Sequence, residues 1–343
     1  MSASPTSALL THPDILTHIL SFADKSSLSR CMQVSWSFFQ LASPLLYREI
    51  TLIPDEADSI FKGASTGLMI YSDLSEREMK RDLLSNVRIL NIKEHDNCNG
   101  FNGTSACTRW RGIGIEFDNL EILKIWVPSN SRYMGNWWNC PWIPNFQNYG
   151  KLVVRNVNHL SCNAPYTIVP DRMKKNIFKL VITIKNMVDL REMNERVISS
   201  TISSPTEDHL GTNTDIVVIF WIDKPGQTWC CNNNDKSLNL NDIDNLIEQI
   251  SICALVRTKR LIICNLDKIS ILDKKPKEVE EYLQNGFKEL IQAMSTSRRE
   301  HKQIENRLQA IEYMTFEQYL AEEDWKGEFD IDELQPWLSI SDA

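Results

Sequence analysis

Three short stretches of this chain repeat one pattern, and that repetition restricts the fold more than any other feature. Val87–Ile92 (VRILNI) and Leu120–Ile125 (LEILKI) match position by position at a spacing of 33 residues, and Ile177–Ile182 (IFKLVI) matches them again. Weaker versions run over Leu152–Val157, Ile216–Ile222 and Leu261–Leu266. Each has the length and β-branched content of a strand whose side chains alternate toward and away from a core. Helical patterns fall between them, at Met79–Leu84, Met187–Ile198 and Leu240–Val256. A strand and a return helix recurring at roughly thirty to forty residues is how a solenoid is built. The intervals are uneven, so a compact α/β domain with a mostly parallel sheet stands as the alternative.

The first fifty residues follow a different rule. Thr11 and Asp14 have the spacing of a capping box, with Leu10 and Ile15 placed to clamp as a hydrophobic staple. Pro13 suits the first turn, where N–H groups lack intrahelical partners. Ile15, Leu16, Ile19 and Leu20 then form one apolar stripe. Asp24 to Ser27 caps a second helix holding Leu28 and Cys31. A third carries Val34, Phe38, Leu41 and Ala42, and Pro44 predicts its end. Three helices in about forty residues bury too little surface to be stable alone. A partner is the natural outlet for the rest.

The order Pro13, Ile15-Leu16, Ile19-Leu20, Phe22, Leu28, Val34, Phe38, Leu41-Ala42 resembles an F-box, and the exit SPLLYREI at Ser43–Ile50 is similar to that of many fungal F-box proteins. Thr11-His12, Ala23, Ser35 and Phe38 stand where the family usually has Leu-Pro, Leu, Cys and Trp. The resemblance implies docking on a Skp-type adaptor and, through it, on a cullin, with the C-terminal part holding a target protein for ubiquitin transfer. The docking set it implies is Pro13, Ile15, Leu16, Ile19, Leu20, Leu28, Val34, Phe38 and Leu41. Some of these must instead hold the helices together. A scaffold outside any ligase, and a helical subdomain packed on its own chain, are the other readings.

The expected fold class is therefore α/β: a three-helix F-box-like module over residues 8–50, a connecting segment at 51–80, an irregular leucine-rich-repeat-like solenoid over 81–275, and a helical and acidic cap at 276–343. In that last part Val279, Leu283, Phe287, Leu290 and Ile291 form a helical stripe. Residues 311–343 carry ten acidic side chains and one lysine, a net of −9, so residues 1–310 sum to +1. Tyr313, Phe316, Tyr319, Trp325, Phe329 and Trp337 are interleaved with those acids. Disordered acidic tails lack aromatics, so this one is expected to pack on the body with its carboxylates outward. A strap lying in a basic groove is the functional variant. Two loops offer candidate target-binding residues: Trp137, Trp138 and Trp142 in one, and Trp229 in the polar stretch Lys224–Lys236. Tryptophans in such loops also fold back onto cores.

A near-neutral body argues against nucleic-acid binding, which needs a basic face. The most apolar run, Ile216–Ile222, has seven residues and is too short to span a bilayer. With no signal-peptide pattern at the start, a cytoplasmic or nuclear location is expected. Nine cysteines without a C-x-x-C pair fit reduced thiols. No nucleotide-binding, hydrolase or metalloprotease motif is present, and the His95, Glu94, Asp96 and Cys98 group has chance spacing. Neither a cofactor nor catalysis is expected.

Overall fold

The computed structural model describes residues 12–53, 74–93, 117–126, 149–157, 177–185, 214–229, 259–270, 275–293, 305–306 and 308–338, with positions 244 and 247. Three short helices come first: α1 (Pro13–Leu20), α2 (Lys25–Met32) and α3 (Trp36–Leu46). Among the described residues eight strands then form one sheet: β1 (Glu49–Leu52), β2 (Ile89–Ile92), β3 (Ile122–Trp126), β4 (Lys151–Val157), β5 (Lys179–Ile184), β6 (Asp215–Phe220), β7 (Arg260–Cys264) and β8 (Ile311–Met314). Every neighbouring pair is parallel, and the order across the sheet is the order along the chain. The order never reverses, unlike that of a doubly wound sheet with its switch point. Helix α4 (Leu74–Ser85) precedes β2, and α5 (Pro276–Ala293) precedes β8. Helices α6 (Phe316–Glu322) and α7 (Ile331–Leu338) close the chain.

Parallel pairing explains the repeated leucine. The register aligns Ile50, Leu90, Leu123, Leu152, Leu180, Ile216, Leu261 and Ile311 in one row. Two positions on, Leu52, Ile92, Ile125, Val154, Ile182, Val218 and Ile263 form a second row on the same face. These rows are almost wholly buried in one large core, which also takes in Val279, Leu283, Phe287 and Ile291 along α5. The expected α5 stripe is thus present.

Side chains on the intervening rows point the other way, and they are not uniformly apolar. Lys124, Lys151, Arg155, Lys179 and Arg260 all lie there, and the first four are buried. A buried charge needs a partner, and residues 315–338, the C-terminal strap, provide the acids. Lys124 Nζ donates to Asp330 at 2.8 Å and to Glu49 at 3.1 Å. Lys151 meets Asp324 at 2.9 Å, Arg155 meets Glu333 at 2.7 Å, and Arg260 meets Glu323 at 2.8 Å. Glu328, fully buried, pairs with Lys179 at 2.8 Å and with Lys151 at 3.4 Å, and accepts from the Tyr319 hydroxyl at 2.5 Å. Burial first, then the Glu328 charge, push that phenol's pKa up, so it stays a donor.

The strap is anchored where it leaves the sheet. Asn265, after β7, has a left-handed backbone (φ 66°) and is fully buried. Its amide donates to the Phe220 carbonyl, and its oxygen accepts from Phe316 N–H at the start of α6. Thr315 and Gln318 form a reciprocal capping box there. Phe316 and Phe329 pack against Trp221, beside β6. Gly327 sits on β2 and β3 at φ +80°, where a Cβ would lie 2.6 Å from Ile122 Cδ1 and 2.9 Å from Ile89 Cδ1. Gly327→Val is therefore expected to destabilise the protein by about 1–3 kcal/mol in chemical denaturation. An unchanged midpoint would show that the strap shifts freely at this point.

Several expectations are corrected here. The strand runs are not half exposed: β2 and β5 are buried at every position because both faces are covered. The tail packs in order, but key carboxylates point inward, since the strand cations require them. Strand β1 pairs with β2, so the sheet begins within residues 49–52, across the expected boundary at 50. Strand β8 extends the sheet into the part expected to be helix and tail, because it adds to the edge through pairing with β7. Pro44 does not end α3, which runs on to Leu46. Lying close to the C-terminus, it costs one hydrogen bond, and the bond that closes the helix, Tyr47 N–H to Ser43 O at 2.9 Å, is intact.

The strap has a defined acid limit. Burial pushes Asp330 up, but the Lys124 hydrogen bond and the charges of Lys124, Lys93 and Arg155 outweigh it and leave the carboxyl below its ordinary value of 3.8. Asp324 is also lowered, chiefly by its hydrogen bond from Lys151. Both groups bind protons less well folded than unfolded. Their contribution is complete above the unfolded value and is lost as pH falls through the folded ones. Near-ultraviolet dichroism from Trp325 and Trp337 is expected to hold from neutrality to about pH 4 and to decline below it. Loss beginning near neutrality would contradict this assignment.

Candidate functional site

Helices α1 to α3 make their own small core, distinct from that of the sheet. Leu20, Leu28 and Ala42 are its buried centre, with Ala23, Cys31, Met32, Phe38, Leu41, Leu45 and Leu46 packed around them. Local signals set each helix. Pro13 occupies the first position of α1, with His12 as its N-cap and no side-chain cap bond. That places Asp14 one residue too early for the expected capping box, whose Thr11 and Leu10 lie outside the described residues. Asp24 caps α2 as expected, accepting from Ser27 N–H at 2.7 Å, and this bond is the main cause of its lowered pKa. Ser35 caps α3 through Phe38 N–H at 3.3 Å. A two-residue junction, Tyr47-Arg48, joins α3 to β1.

The core leaves a large apolar set uncovered. Ile15 is 49% exposed and Ile19 53%, one helical turn apart, and Phe22, three residues further on in the turn after α1, is 78% exposed. Val34, between α2 and α3, and Trp36, the first residue of α3, are 69% and 64% exposed. Trp36 stacks on Phe39 with centroids 5.1 Å apart, and His18 meets Phe22 edge-on at the same distance. Isolated exposed apolar residues are ordinary, but five large ones within 22 positions point to a surface that another molecule covers.

The nine residues read from sequence thus divide. Pro13, Ile15, Ile19 and Val34 are open to solvent, and Leu16 is half-buried. Leu20, Leu28, Phe38 and Leu41 hold the helices together. The docking set read from sequence leaves out Phe22 and Trp36, the two most bulky of the exposed residues. Phe22 and Trp36 sit at helix boundaries, where apolar periodicity gives no signal.

The tryptophan loops fare differently. Trp137, Trp138 and Trp142 lie outside the described residues. Trp229 is corrected: it is 1% exposed, packs edge-on against Phe220, and donates from Nε1 to the Ile184 carbonyl at 2.9 Å. Its backbone bridges Ile269, which draws the polar stretch back onto the sheet and buries the ring. No group of three or more metal-ligating side chains occurs among the described residues. Among them too, no helix is long and apolar enough to cross a membrane. Cys31 and Cys264 are free, and burial pushes the Cys264 thiol well above its usual range, the condition of an inert core thiol.

No curated protein and no solved structure matches the chain. A family model does match the helices, the junction and β1: residues 13–53 form an F-box-like domain.

Proposed function

We propose that this chain is the substrate-recognition subunit of a Skp-cullin-F-box ubiquitin ligase. The exposed set Ile15, Ile19, Phe22, Val34 and Trp36, on a module whose own core is already filled, carries the reading. These residues dock on a Skp-type adaptor, which brings in the cullin. The F-box is of fungal type, and the rest of the chain is an irregular leucine-rich-like solenoid that holds a target protein. Its support is the uninterrupted sequential order of parallel strands, which stacking of strand-and-return repeats produces. The chain itself does no chemistry and needs no cofactor. It works in the cytoplasm or nucleus by tethering, which makes ubiquitin transfer effectively intramolecular.

Co-purification of the full-length chain with a Skp-type adaptor and a cullin tests this. Capture of both is expected. Capture of the adaptor without the cullin would favour a scaffold outside the ligase, and capture of neither would overturn the docking assignment.

A further inference from the structure

We propose that the sheet face beneath residues 315–338 is the recognition groove for an acidic, aromatic-bearing segment of the target protein, and that the strap fills it in the resting chain. The proposal deepens the target-recognition reading and rests on it for the identity of the ligand.

The contrast between the two faces of the sheet carries the argument. One face is made of aliphatic rows, and the buried cluster they belong to runs on through the other face to Phe316, Phe329 and Trp337 of the strap. The other sets Lys124, Lys151, Arg155, Lys179 and Arg260 among valines and isoleucines. Ion pairs are a poor way to build a core, because desolvation offsets most of the attraction, and apolar replacements do as well. These pairs are also imperfect. Arg155 Nε and Arg260 Nε on the sheet and Trp337 Nε1 on the strap are buried without a hydrogen-bond partner. Mixed apolar and charged contact with incomplete pairing is the character of a protein–protein interface. A groove that must stand open between occupants also needs groups that water can solvate, and five cations meet that need.

The strap describes the ligand. It brings Glu323, Asp324, Glu328 and Asp330 to the cations and aromatic rings to the space between them. Among the outer contacts, Asp324 and Asp330 keep much of their side chains in solvent. Lys124 retains Glu49 and Lys151 retains Glu328 if those two carboxylates are removed. The strap can therefore be loosened from its edge without leaving a lysine unpaired.

The test uses neither adaptor nor cullin, so its failure leaves adaptor docking untouched. Native-state hydrogen exchange on the full chain is expected to show α6 and α7 opening as a unit, with about a hundredfold less protection than β4 to β7. A labelled peptide of residues 315–338 is expected to bind the full-length Asp324→Asn/Asp330→Asn variant about tenfold more tightly than the wild type, because its internal competitor is weaker. High salt should weaken that binding. A second peptide with the same acids but its aromatic residues permuted should bind within about tenfold of the first, as recognition of a chemical class requires. Exchange of strap and strands together would overturn the proposal, as would failure of a folded variant to bind the peptide. So would loss of binding on permutation, the mark of a structural plug keyed to one sequence. Dimers formed by mutual exchange of straps would make a second copy the occupant and overturn it too.

Discussion

Ile19→Asp is expected to abolish adaptor capture while leaving the melting temperature unchanged. Ile19 is half in solvent and outside the buried centre formed by Leu20, Leu28 and Ala42, so an aspartate there meets water in the free protein and costs little. In a complex the same carboxylate would be desolvated against an apolar surface without a partner. The isoleucine contact contributes about 1.5–3 kcal/mol, and an unpaired buried charge adds several more. A total near ~4 kcal/mol corresponds to about a thousandfold loss of affinity. The neighbouring residue supplies the control. Leu20→Asp puts a charge in the module's core and should unfold the helices, so the two variants separate surface from scaffold. Unaltered binding by a folded Ile19→Asp protein would remove α1 from the interface.

Glu328→Ala is expected to be the most destabilising single change in the strap. The carboxylate is fully buried, and its loss leaves Lys179 with the Asp324 carbonyl at 2.9 Å and the Tyr319 ring face but no anion, and deprives Tyr319 of its acceptor. Breaking one side of a buried ion pair costs about 3–5 kcal/mol, a fall of about 4–7 °C in melting temperature for a chain of this length. Glu328→Gln keeps an acceptor for the Tyr319 hydroxyl and should fall between wild type and alanine. If alanine and wild type melted together, the strap would not be held through Glu328.

The strands were legible because parallel pairing demands the same residue type at the same register, and that demand wrote Leu90, Leu123 and Leu180 into matching positions. The module helices were legible through their stripe and through Asp24, whose cap is local. The covered face was not. Lys124 and Lys179 within strand runs look like the solvent half of an alternation, and nothing near them in sequence marks burial. Their partners lie 75 to 206 residues away, beyond the reach of any periodic pattern. Trp229 failed for a related reason, since its polar neighbours describe the loop's outer side and its ring answers to Ile184 and Phe220. Within the module, periodicity finds the apolar residues but cannot tell a packed Leu20 from an open Ile19. That difference depends on which residues the other two helices cover.

The sequential strand order has a consequence for synthesis. Each strand from β2 onward pairs with the one made just before it, so the sheet can assemble in step with the ribosome, one repeat at a time. Lys124 has Glu49 from the first strand but waits 206 residues for Asp330, and Lys151 and Lys179 lie on the nascent sheet without their acids until the strap is made. During that interval the growing chain is open to anionic surfaces, the ribosome's own RNA among them. Arrival of α6 and α7 is the step that ends this exposure.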